Sequence, residues 1–85
     1  MSVTQVSPTI SVVIPTLNEA DELPETLSRV QAVPEIVEII VVDAGSSDST
    51  CKIAREQNCS VLECEPSRGK QLRLGAEKSS GDIIL

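Results

Sequence analysis

Ile39-Ile40-Val41-Val42-Asp43-Ala44-Gly45-Ser46-Ser47-Asp48-Ser49-Thr50 is the stretch whose reading decides the fold. Its first four residues are β-branched aliphatics with no charge among them, the composition of a strand buried on both faces of a parallel sheet. Asp43 falls at the carboxyl end of that strand. Gly45 permits the reversal that follows, and Ser46, Ser47 and Asp48 are all residue types that cap helix N-termini. The stretch is a strand-loop-helix corner carrying an acid. In open α/β sheets ligands bind outside the carboxyl ends of the strands, so a carboxylate there can accept hydrogen bonds from a ribose or a base. The competing role for Asp43 is structural, an Asx-turn that caps its own loop.

On the N-terminal side, residues 1–8 read as a flexible leader. Ile10 to Ile14 form a β-branched strand, which Pro15 is expected to stop. The loop from Pro15 to Glu19 leads into a helix with Asn18 or Asp21 as cap and Pro24 in its first turn. Leu23, Leu27, Val30 and Val33 recur at helical spacing and are expected to face the sheet, with Pro34 ending the helix. The central strand runs from Ile36 to Val42 and delivers Asp43. On the C-terminal side, a second helix is expected over 49–57, a short strand over 60–64, and a third helix over 70–79. Leu72, Gly75, Ala76 and Ser79 share one face of that helix, where small residues allow close approach to a sheet. Gly81 fits the position just beyond the helix end, and Asp82 to Leu85 begin a fourth strand.

The order β-α-β-α-β-α-β with short loops predicts an α/β, Rossmann-like parallel sheet over residues 9–85. Neither a G-x-G-x-x-G fingerprint nor a G-x-x-x-x-G-K-[ST] loop occurs, which disfavours a dinucleotide fold and removes a P-loop.

Thirteen acidic against seven basic residues give a net charge of −6, which argues against nucleic acid as a partner. Arg68, Lys70, Arg73 and Lys78 nevertheless cluster, which suits one local anionic ligand. With no Phe, Tyr or Trp, a base would have to be held by backbone and aliphatic groups. Three cysteines without C-x-x-C spacing or histidine fit neither a zinc site nor a disulfide framework. Free thiols in a reducing, cytoplasmic setting are the expectation. Eighty-five residues are few for a sheet covered on both faces, and Gly81 to Leu85 reads as a strand only begun. A longer parent protein is therefore expected.

If the sheet is parallel, the loops Pro15 to Glu19, Asp43 to Asp48 and Arg68 to Gln71 share one rim. Glu19 and Asp43 would supply acceptors suited to ribose and base, and Arg68 and Lys70 cations suited to phosphate.

These residues carry a resemblance. Val12-Val13-Ile14-Pro15-Thr16-Leu17-Asn18-Glu19 followed by Val41-Val42-Asp43-Ala44-Gly45-Ser46-Ser47-Asp48-Ser49-Thr50 resembles the opening of a family 2 glycosyltransferase of GT-A fold. Arg68-Gly69-Lys70-Gln71 and Ser80-Gly81-Asp82-Ile83-Ile84-Leu85 match that family's usual run toward its metal motif. Together they cover nearly all of the chain from Thr9 onward; the blocks are specific in combination. The resemblance implies the N-terminal, nucleotide-binding half of a GT-A domain and a UDP- or GDP-sugar donor. Pro15, Leu17, Asn18 and Glu19 would frame base and ribose, Asp43 and its loop would meet the base edge, and Arg68 would lie near base or phosphates. Where the family commonly has a second acid, Ala44 stands, so one acceptor at the base edge is missing.

The family's Asp-x-Asp motif follows the strand begun by Ile83. Mg²⁺ or Mn²⁺ is thus expected in a full-length enzyme with its ligands outside this chain, and these residues alone are expected to be inactive. The hydroxyl acceptor is not specified, and the full-length protein could sit at the inner face of the membrane. Two other readings compete: a non-catalytic nucleotide-binding module, and a receiver-like regulatory domain with Asp43 as phosphoacceptor.

Overall fold

The structure is a computed structural model that describes residues 9–81, 83 and 84. The expected leader at 1–8, together with Asp82 and Leu85, lies outside the described residues. Seven elements alternate along the chain: β1 (Ile10–Thr16), α1 (Leu23–Gln31), β2 (Ile36–Asp43), α2 (Thr50–Glu56), β3 (Ser60–Glu63), α3 (Arg68–Lys78) and β4 (Ile83–Ile84). The strands form one sheet in the order β3-β2-β1-β4, and every pairing is parallel.

That order explains which face each helix covers. From β1 to β3 the chain steps across the sheet in one direction; from β3 to β4 it turns back past β1. Right-handed crossovers then put α1 and α2 on one face and α3 on the other. The core divides accordingly. Leu23 and Leu27 of α1 and Ala54 of α2 pack with Val41, with Ile14, Ile39 and Val61 alongside. On the opposite face Val13, Ile40 and Val42 pack with Leu62 and Leu74. Alternation along β2 sends Val41 to one side and Ile40 and Val42 to the other, and all three are at most 1% exposed. The uncharged run read as a doubly buried strand is therefore the middle of the sheet.

Several boundaries differ from expectation. Pro15 does not stop β1, which continues to Thr16 with Pro15 paired to Val42. Among the described residues β4 pairs only with Ile10 and Ser11, so no described pairing with β4 asks Pro15 for the N–H it lacks. Neither Asn18 nor Asp21 caps α1; Glu22 takes the N-cap position without a side-chain bond, and Pro24 sits in the first turn. Val33 is 40% exposed, because α1 ends at Gln31 and its hydrophobic stripe ends with it. Helix α3 starts two residues early because Ser67 caps it, accepting from the Lys70 amide. Its buried face is Gln71 and Gly75, with Leu74 packed alongside, while Leu72 points outward at 41% exposure. Gly81 is not the helix C′ residue, since α3 ends at Lys78 and its C-cap, Ser79, is extended.

Both late glycines instead answer to close approach. A Cβ on Gly75 would lie 2.3 Å from Val13 Cγ1, and one on Gly81 would lie 2.7 Å from the Ser11 amide nitrogen. Gly81 also donates its N–H to Ser11 Oγ, which in turn donates to Glu38 Oε1. The Ser80 amide and hydroxyl donate to the same Glu38 oxygen. Bonds from the Ser80 amide, then Ser11, hold the Glu38 carboxyl below its ordinary pKa, outweighing its partial desolvation. The entry to β4 is thereby tied to β1 and β2.

Alanine in an exposed helix interior is normally worth about 1 kcal/mol over glycine. Gly75→Ala is expected to do the opposite and cost about 1–3 kcal/mol, because Val13 is β-branched and stiff. Denaturant unfolding checks the sign, and Val13→Ala in the same chain should recover part of the loss. An unchanged or raised midpoint for Gly75→Ala would refute the contact.

Candidate functional site

The rim at the carboxyl ends of β1 and β2 is built around one buried carboxylate. Asp43 is wholly buried. Its Oδ1 accepts from Thr16 Oγ1 at 2.7 Å and from Ser46 Oγ at 2.5 Å. Its Oδ2 accepts from the amides of Gly45 at 3.0 Å and Ser46 at 2.7 Å. Two successive amides aimed at one oxygen make an Asx-type turn, and Gly45 at φ +89° supplies the left-handed residue it needs. Burial works to raise the Asp43 pKa; the bonds from Ser46 and Thr16 outweigh it and keep the carboxyl below its ordinary value. The group is ionised and fully engaged at neutral pH.

Around this hub the first two loops are zipped together. The Asn18 amide donates to Ser46 Oγ, and Asn18 Oδ1 accepts from the Ser47 amide at 2.9 Å. Asn18 adopts φ +53°, a conformation asparagine tolerates better than most residues. The Glu19 amide donates to Thr50 Oγ1 and the Ala20 amide to Asp48 Oδ2. The Asp48 carboxylate also accepts from the Thr50 amide and hydroxyl. The third loop joins through the Cys64 amide, which donates to the Asp43 carbonyl at 2.9 Å.

Above the hub lies an open cleft of about 240 Å³ whose lining includes Pro15, Leu17, Glu19, Ala44, Arg68 and Gln71. Four of the six residues picked out from the sequence therefore share it: Pro15, Leu17, Glu19 and Arg68. Asn18 and Asp43 do not line it; they hold the loops that form its wall. Glu19 makes its hydrogen bonds through backbone atoms, leaving its carboxylate unengaged among the described residues. Arg68 is exposed and has no carboxylate partner among the described residues. The four clustered basic residues do not act together: Lys70 pairs with Glu65 at 3.2 Å, and of the four only Arg68 lines this cleft.

Gln71 was overlooked as a site residue. It is 6% exposed, and its Nε2 donates to the carbonyls of Val42 at 2.8 Å and Thr16 at 3.2 Å. Its one sequence signal is its place one helical turn before the close-packed Gly75. A larger cleft of about 470 Å³ lies beside Gln31, Glu38, Asn58 and Ser60. It sits at the opposite end of the strands, away from the edge where α/β sheets bind ligands, and carries no cation.

Among the described residues no three His, Cys, Asp or Glu side chains gather to hold a metal ion. Asp43 and Asp48 are committed to loop amides and hydroxyls, so no metal-dependent step is derived from this chain. The three cysteines are free. Burial pushes the thiols of Cys51 and Cys59 up, and the nearby Asp43 carboxylate adds to the effect at Cys51. Neither is an activated nucleophile.

Asp43→Asn puts an amide nitrogen among hydrogen-bond donors and is expected to cost about 1–3 kcal/mol at pH 7. A depressed carboxyl pKa contributes stability that is present above the unfolded value, 3.8, and lost as pH falls through the folded value. The gap between wild type and Asp43→Asn should therefore shrink below about pH 4. Denaturant titrations at pH 7 and pH 3 check this; an unchanged gap would contradict the ionised hub.

Residues 11–85 match glycosyl transferase family 2. Glycosyltransferase AglE of Haloferax volcanii is 36% identical over 91 residues, covering 95% of this chain and 30% of that protein. Glucosyl-3-phosphoglycerate synthase of Mycobacterium tuberculosis, solved with Mn²⁺, UDP and glucosyl-3-phosphoglycerate, superposes with a TM-score of 0.73 at 32% identity. That match covers 91% of this chain and 32% of the synthase. Mannosyl-3-phosphoglycerate synthase of Rubrobacter xylanophilus gives a TM-score of 0.83 at 26% identity over 92% of this chain and 29% of its own. The chain spans about a third of the length of these relatives. Their shared architecture is the GT-A fold, whose N-terminal part has the parallel sheet described above. By the match over residues 11–85, the chain belongs to glycosyl transferase family 2.

Proposed function

We propose that this chain holds the nucleotide of a nucleoside-diphosphate sugar, in a protein that transfers the sugar to a hydroxyl acceptor. The observation that carries the reading is the cleft at the carboxyl ends of β1 and β2, where an unengaged carboxylate and an unpaired guanidinium face the same space. Glu19 suits the paired hydroxyls of a ribose, and Arg68 a diphosphate, which a planar guanidinium binds through two bonds at once. Leu17, 47% exposed at the mouth, and Pro15 offer an apolar surface for a base in a chain without aromatic rings. A UDP- or GDP-sugar is the donor class, and the UDP bound by the mycobacterial synthase supports the first. The Mn²⁺ in the same structure supports a divalent cation in the complete enzyme. Such an ion would neutralise the departing diphosphate.

The free thiols support a cytoplasmic setting. No helix among the described residues is long and apolar enough to cross a membrane, and attachment at the inner membrane face remains part of the proposal for the whole protein. The receiver-like reading fails on Asp43, whose oxygens are buried and each bonded twice. A nucleophilic phosphoacceptor needs an accessible oxygen.

The test is titration of the native protein, as its source expresses it, with UDP, GDP and the parent nucleosides, with and without Mn²⁺. Arg68→Ala should weaken diphosphate binding roughly tenfold to a hundredfold, the range of a lost charge-assisted bond, and leave nucleoside binding unchanged. Equal loss for nucleoside and diphosphate would remove Arg68 from the phosphate. Absence of any nucleotide binding would sink the reading itself.

A further inference from the structure

Gln71 spends both carboxamide N–H groups on backbone carbonyls, of Val42 at 2.8 Å and Thr16 at 3.2 Å. A carboxamide has only two such donors. The amide cannot be reversed, because its oxygen would then face two carbonyl oxygens. Trigonal geometry turns Oε1 away from both. That oxygen takes no bond from any described residue, yet among the described residues no buried side-chain oxygen or nitrogen is left unpaired. Oε1 therefore keeps access to solvent, and the space that Gln71 lines is the cleft.

Other acceptors near it are used up. Asp43 is saturated, the Thr16 carbonyl already takes the Ala44 amide as well as Gln71, and Ala44 brings only a methyl group. Ser67 accepts from the Lys70 amide. Thr16 turns its hydroxyl onto Asp43 and is 2% exposed, so the side-chain oxygens of the cleft that make no hydrogen bond among the described residues are the Glu19 carboxylate and Gln71 Oε1. The first is charged and only partly buried; the second is neutral, nine-tenths buried and held by the ends of two strands.

Resting on the nucleotide reading above, we propose that Gln71 is the base-reading residue, its Oε1 accepting the ring N–H of a lactam base such as uracil. The same oxygen discriminates against cytosine, whose corresponding ring nitrogen is itself an acceptor. A site built to bond an N–H rejects analogues lacking it strongly, because the buried acceptor is left unpaired. Gln71 thereby supplies the acceptor that Ala44 does not.

The experiment titrates the native protein with UDP, N3-methyl-UDP and CDP, in wild type and in Gln71→Met. In wild type, N3-methylation and replacement by cytosine should each weaken binding roughly tenfold or more. In Gln71→Met, UDP binding should fall, and the preference for UDP over both analogues should largely vanish. A role confined to anchoring β1 and β2 would weaken all three ligands alike and leave the preference intact, which overturns the proposal. Should Gln71→Met fail to fold, the wild-type series still decides: UDP bound no better than N3-methyl-UDP or CDP also overturns it. If UDP does not bind at all, the nucleotide reading fails, and this proposal with it.

Discussion

An ionised carboxylate sealed from water at the end of β2 is the constraint on which the rest of this structure depends. A buried charge is tolerated only when its hydrogen-bonding capacity is filled. Asp43 meets that condition with two hydroxyls and two backbone amides, drawn from β1 and from its own loop. Satisfying the charge thus joins the ends of two strands and sets the curl of the loop between β2 and α2. Asn18, Asp48 and Thr50 then extend the same principle outward, each side chain occupying amides that a loop would otherwise leave to water.

The division of labour among the acids follows from this. Asp43 and Asp48 organise loops, and the Glu19 side chain, with no such partner among the described residues, lines the cleft. Sequence alone marks Glu19 and Asp43 alike as ligand acceptors and Asp48 as a capping residue, since all three follow or end a strand. What separates them is which amides point inward once the loops close, a property of backbone torsions at Asn18 and Gly45 rather than of residue type. The Asx-turn weighed against ligand contact for Asp43 is the geometry found, and the lining of the cleft is one layer further out.

The parallel sheet was legible because its signals are strong and redundant: doubly buried β-branched runs, helical spacing between them, and short loops. The face of α3 was not. Gln71, Leu72, Gly75 and Ala76 offer two overlapping faces, and hydrophobicity favours the one with Leu72. Packing chose the other because Gly75 must lie against Val13, which turns Gln71 inward and Leu72 out. A polar residue in a core-facing position looks like an error in a sequence pattern; here it bridges two strand-end carbonyls, of Val42 and Thr16. Pro15 misled for a related reason: a proline reads as a terminator, yet a strand tolerates it where no ladder bond is asked of its missing N–H.

The bond from Gly81 to Ser11 joins groups 70 residues apart, whereas Thr16 and Asp43 are separated by only 27. By the logarithmic scaling of chain closure the longer loop costs only about 0.8 kcal/mol more to close. Rate is affected more than stability, because distant contacts are rewarded only after the intervening chain has ordered. The β1-α1-β2 unit, with its hub carboxylate, can condense early as a local nucleus. The bonds from Ser80 to Glu38 and from Gly81 to Ser11 span 42 and 70 residues, so the entry to β4 is expected to dock after that unit has ordered.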